Sequence, residues 1–102
     1  MIINIGSKFK IESNLILFLK SHINYTEFNL LESKNIMSST TIKKFEELLQ
    51  NQNFKRVHRA YIVNMKHVVF IAQNEVFLSN GFVLPITRRR KTKDLLSFKC
   101  SN

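Results

Sequence analysis

Residues 54–64 read FKRVHRAYIVN, and this stretch decides how the rest of the chain is read. Its first half is cationic, with Lys55, Arg56, His58 and Arg59, and its second half is aromatic and β-branched, the composition of a strand. On the residues alone, the cations lie on a polar connection that enters a strand. Loops held by a rigid sheet are where binding side chains usually sit. The planar guanidinium fork matches a phosphate, and it also matches the O6/N7 edge of guanine. Arg59 therefore reads as functional. His58 reads chiefly as a residue packed at the strand start with its ring bonded to backbone, because one uncharged imidazole adds little phosphate affinity.

Just upstream, the hydrophobic period is helical. Ile42, Phe45, Leu48 and Leu49 recur at helix spacing, with Lys43, Lys44, Glu46 and Glu47 facing away. Hydroxyls at residues 38–41 can cap the start, and Asn51-Gln52-Asn53 ends the element, so the pattern predicts one short helix over 41–50. The remaining apolar runs are short and rich in β-branched or aromatic residues: 2–5, 8–11, 14–20, 24–31 and 36–37 before the helix, then 60–63, 67–72, 75–78 and 82–86 after it. Residues 32–35 form a polar turn between two of these runs. Asn80-Gly81 between apolar strands predicts a hairpin of type I′, in which both central residues take positive φ. Pro85 has no N–H for a sheet ladder, so its strand belongs at an edge.

Charge narrows the class of partner. The formal net charge is +9 over 102 residues. Residues 1–50 hold six Lys/Arg against five Asp/Glu, while residues 51–102 hold ten against two, including all the arginines. A surface so unevenly basic attracts polyanions. A second cationic run, Arg88-Arg89-Arg90-Lys91, leaves the strand just after Pro85, and such crowding is relieved by an anion. Arg88 is nearest the sheet and so best held.

Other classes are disfavoured. The 44% hydrophobic content permits a core, and no apolar run approaches the roughly 20 residues of a membrane span. A single cysteine, Cys100, leaves no disulfide framework or cysteine metal cluster, which fits a reducing, cytoplasmic setting. No signal-peptide pattern opens the chain. No recognisable catalytic, nucleotide-binding or metal motif occurs, so neither enzymatic activity nor a cofactor or metal is expected.

The block FKRVHRAYIVN, followed by apolar strands and NGFVLPITRRR, resembles the LytTR family of DNA-binding domains. The family pattern is F-x-R-x-H-R-S-Y-x-V-N, then an N-G hairpin and L-P-[VI]-[ST]-R-R. Phe54, Arg56, His58, Arg59, Tyr61, Val63, Asn64, Asn80, Gly81, Leu84, Pro85 and Arg88 match it, while Ala60 stands where serine is usual. Ile23-Asn24-Tyr25 occupies the place of a G-N-Y element, and the resemblance spans essentially the whole chain.

The resemblance implies an elongated, mainly β fold of several sheets, with about ten short strands and the one helix, forming a single domain over residues 1–102. It implies sequence-specific binding of double-stranded DNA by loops that enter successive grooves, in regulation of bacterial transcription. Base contacts then fall to Arg59, Arg88, and, in the first loop, His22 and Asn24. Lys55, Arg56, Arg89, Arg90 and Lys91 become phosphate contacts, with His58 a lesser candidate, and Tyr61, Val63 and Asn64 structural. Family members bind paired sites and bend the DNA, so paired binding or a homodimer is expected. They often carry a receiver or sensor domain ahead of this module. Met1 at the start favours a stand-alone regulator, and the sequence does not identify an upstream signalling partner.

Two rivals carry different expectations. A single-stranded DNA or RNA binder needs exposed aromatics on which bases stack, whereas the phenylalanines here fall mostly at core-facing positions. A basic protein-interaction module would give a salt-sensitive protein complex and no DNA binding.

Overall fold

The computed structural model describes residues 2–5, 10–32 and 34–87. These residues extend over 38 × 25 × 23 Å, an elongated body. Ten strands and one short α-helix are found among them. β1 (Ile2–Asn4) and β2 (Lys10–Glu12) pair as an antiparallel ribbon. β3 (Ile16–Ser21), β4 (Thr26–Leu30) and β5 (Asn35–Ser38) lead into α1 (Ile42–Leu48), and β6 (Phe54–His58) and β7 (Tyr61–Asn64) follow. Together these strands form a five-stranded sheet in the order β5-β4-β3-β7-β6. β8 (Val68–Ile71), β9 (Glu75–Leu78) and β10 (Val83–Pro85) form a three-stranded sheet in the order β10-β9-β8. Pro85 thus lies on an edge strand, where its missing N–H costs no ladder bond.

The central sheet is covered on both faces, which is why its middle strand is an unbroken apolar run. Ile16 and Leu19 of β3 join Phe28, Leu30, Ile62 and Phe54 in a cluster closed by Ile42 and Phe45 of α1, by Leu49 just after it, and by Ile3, Ile5 and Ile11. Phe28 meets Phe45 edge-on, with ring centroids 4.8 Å apart. Leu17 and Phe18 instead join Val57, Val63 and Met65 in a second cluster against Val68, Val76, Leu78, Leu84 and Ile86. Strict alternation cannot turn the consecutive pair Leu17 and Phe18 to one side. A register shift between Ile16 and Phe18 does so, as one residue inserted into a strand swings the next to the same face.

Several sequence expectations need correction. Residues 54–58 are not a polar connection but the edge strand β6. A bulge between Arg56 and His58 breaks the alternation that would have marked it. Asn14, Leu15 and His67, expected at the starts of strands, lie in the 3-10 turns Ser13–Leu15 and Met65–His67. On α1 the buried residues are Ile42 and Phe45, continued by the C-cap Leu49, while Leu48 is half exposed. Glu46 does not face away but pairs with Arg56. Thr41 is the N-cap residue, yet its side chain makes no capping bond.

The Asn-Gly hairpin forms, with a different turn. Gly81 has φ of +94°, whereas Asn80 keeps a negative φ. The Gly81 N–H donates to the Leu78 carbonyl at 3.0 Å, and the Leu78 N–H donates to the Phe82 carbonyl at 2.9 Å. This is a three-residue loop with glycine in the left-handed position, not the two-residue type I′ form. The Asn80 side chain instead accepts from the Phe82 N–H at 3.1 Å. The phenylalanines are also less uniformly buried than expected. Phe18, Phe28, Phe45 and Phe54 are core, but Phe70 and Phe82 are about half exposed.

Candidate nucleic-acid interface

The topology of the central sheet gathers two loops at one end. β3 pairs with β4 on one side and with β7 on the other. The β3–β4 loop, residues 22–25, therefore lies beside the β6–β7 turn at Arg59 and Ala60. The Ser21 N–H donates to the Ala60 carbonyl at 2.7 Å, which joins the two directly. On the far side of β6, the Thr87 N–H donates to the Val57 carbonyl at 2.9 Å. Thr87 is thus fixed to the same end of the sheet. Residue 88 follows immediately in sequence, but Arg88, Arg89, Arg90 and Lys91 lie outside the described residues.

Arg59 is exposed at the tip of the β6–β7 turn, and Lys55 is exposed on β6. Arg56 is not. Its Nη1 donates to Glu46 Oε1 of α1 at 2.8 Å, and its Nη2 donates to the Arg59 carbonyl at 2.6 Å. The side chain is only 14% exposed, and Nε is buried without a partner among the described residues. Arg56 is therefore a strut between the helix and the turn that carries Arg59. A phosphate at Nη1 would compete with Glu46. The bulge between Arg56 and His58 breaks the strict alternation of β6, which buries Phe54 and Val57 three residues apart with Arg56 half-buried between them.

His58 is half buried and its ring is engaged. Nδ1 accepts the Ala60 N–H at 3.0 Å, and the ring meets Tyr61 edge-on at 5.6 Å. In the neutral form the proton therefore sits on Nε2. This backbone bond closes the turn from within, while Tyr61 packs on toward Phe18 at 6.0 Å.

The first loop is equally constrained. The His22 N–H donates to the Tyr25 carbonyl at 2.8 Å, which makes a tight turn of residues 22–25. The His22 ring stacks on Tyr25 with centroids 4.7 Å apart, and its Nε2 donates to Glu27 Oε1 at 2.9 Å. His22 is half-buried, whereas Asn24 is exposed at the tip. Composition did not single out Tyr25, Glu27 or Glu46, since each is an ordinary residue until the sheet register sets it beside its partner.

Val63 and Asn64 have internal roles. Val63 is fully buried. The buried Asn64 amide donates to the Ser13 and Ile16 carbonyls at 3.2 and 2.9 Å, and its oxygen accepts the Lys66 N–H at 3.1 Å. This ties β7 to the start of β3 at the end of the sheet opposite the loops.

Among the described residues no three His, Cys, Asp or Glu side chains group as metal ligands. No helix among them is long and apolar enough to cross a membrane.

Comparison with protein families matches residues 6–97 to the LytTr DNA-binding domain. Among solved structures, the chain is similar to the LytTr DNA-binding domain of a methyl-accepting/DNA response regulator from Bacillus cereus. That likeness has a TM-score of 0.74 at 20% identity and covers 97% of this chain and 94% of the other, which shows a shared fold. Comparison with curated proteins returns no match.

Proposed function

The chain belongs to the LytTr DNA-binding domain family, and from that premise we propose that it regulates transcription by reading duplex DNA with the loops at one end of its central sheet. The observation that carries this reading is the convergence of residues 22–25, the Arg59 turn and the chain at Thr87 on that end. Two turns and the chain at Thr87, gathered at one end of a sheet, suit successive contacts along one face of a duplex. In this reading residues 1–102 act as one cytoplasmic domain, and two copies occupy paired sites.

Arg59 and Arg88 reach base edges, where a guanidinium forks onto guanine O6 and N7. Asn24 and His22 serve the neighbouring bases from the first loop, with Asn24 the freer of the two. Lys55, Arg89, Arg90 and Lys91 neutralise phosphates, which positions the protein without reading sequence. Arg56 and His58 act from behind, by holding the Arg59 turn.

Gel-shift titration against duplexes selected in vitro tests the assignment. Arg59→Ala and Arg88→Ala should each cost roughly 1–3 kcal/mol on the selected site and relax preference at one base pair. Lys91→Ala should weaken all duplexes alike and lower the salt slope by about one unit. Unchanged affinity of both arginine variants for the selected site would refute base readout by this end of the sheet.

A further inference from the structure

The tip of the β3–β4 loop carries an isoleucine that the fold does not use. Ile23 is 97% exposed, more than any other large hydrophobic side chain among the described residues. Single exposed apolar residues are ordinary on protein surfaces. This one is distinguished by its setting. It stands between His22, which is pinned by Tyr25 and Glu27, and Asn24. The loop is joined to the Arg59 turn through the bond from Ser21 to Ala60. Its backbone is thus held while its side chain meets only solvent. Isoleucine is branched at Cβ and stiff at χ1, so the loop presents a knob of fixed shape. Covering that knob with another apolar group releases the water around it.

We propose that Ile23 is a specificity-determining contact that packs on the C5-methyl group of thymine in the major groove, beside the base pair reached by Arg59. The proposal rests on the reading of the loop end as the DNA-binding end. The C5-methyl is the apolar group of the major-groove base edges, and the minor groove offers no counterpart. An aliphatic side chain therefore discriminates A·T from G·C pairs there without a hydrogen bond. Burying one methyl group changes an equilibrium by about fourfold, so the effect on affinity should be about three- to tenfold.

The test replaces single thymines by uracil in a duplex selected by the full chain. Uracil keeps every Watson–Crick bond and removes only the methyl. Wild type should bind about three- to tenfold more weakly when one or two particular thymines are replaced. Ile23→Ala should weaken binding to the parent duplex by a similar factor, become indifferent to those replacements, and melt at the wild-type temperature. The proposal fails if wild type ignores every uracil, or if Ile23→Ala stays sensitive to the same thymines. Arg59→Ala on the same duplexes separates the two levels. If it weakens binding while uracil does nothing, the Ile23 contact alone is wrong. If neither matters, the loop end is not the reading surface and both assignments fall.

Discussion

The two ends of the five-stranded sheet are built on opposite principles. At one end, polar side chains are bonded to backbone and tie separate segments together. Asn64 saturates its amide on Ser13, Ile16 and Lys66, His67 Nε2 donates to the Asn14 carbonyl at 2.8 Å, and the Ser79 N–H donates to the His67 carbonyl at 2.9 Å. At the other end, internal bonds hold the backbone of two turns, while Ile23, Asn24 and Arg59 face solvent. The first end closes the fold, and the second presents side chains from it. Rigid backbone beneath exposed side chains is what a reading surface requires, because order already present need not be supplied on binding.

Substitutions at the two ends should therefore separate stability from affinity. The largest stability effect is expected from Asn64→Ala, which removes two donors and one acceptor from a buried site. Denaturant titration should show a loss of about 3 kcal/mol, with DNA affinity per folded molecule unchanged. A loss of affinity without a loss of stability would mean that the closed end also takes part in binding. Arg59→Ala is the converse case: its affinity loss should come with no shift in melting temperature.

Arg56 joins the two categories and is the sharper probe. Arg56→Met keeps most of the side-chain bulk but breaks the bonds to Glu46 and to the Arg59 carbonyl. It should lower stability by about 1–2 kcal/mol and weaken DNA binding less than Arg59→Ala does. If it leaves stability intact yet removes one unit of salt slope, Arg56 is a phosphate contact after all.

The smallest effect belongs to Gly81→Ala, near the closed end. A Cβ at Gly81 meets nothing within 4 Å, so its cost is conformational only. Thermal unfolding should report a loss of about 1 kcal/mol from the positive φ, with no change in DNA binding.

Much of the fold was legible because hydrophobic period and turn chemistry are local. The short helix, the Asn80-Gly81 hairpin and the edge position of Pro85 all appear in the structure. Strand β6 was not legible. Its cations alternate between an exposed face and a strut, and its bulge removes the period-two signal. The type of the hairpin turn was missed for a related reason: the Asn-Gly pair allows positive φ at both positions, but strand register decides which of them takes it.

Residues 54–64 and the chain from Asn80 to Pro85 determined, by themselves, the β class and the family resemblance, because each residue's type there answers a local demand of backbone or side chain. The strong basic bias of the second half likewise pointed to a polyanion before any contact was known. Only the tertiary structure decided which cation is a strut and which is free. Arg56 and Arg59 are three residues apart and chemically identical. One is turned against α1 and the other into solvent, because a helix ten residues upstream places Glu46 within reach of the first alone. Ile23 is the mirror case: its apolar type suggests the interior, and only the turn beneath it shows that it points out.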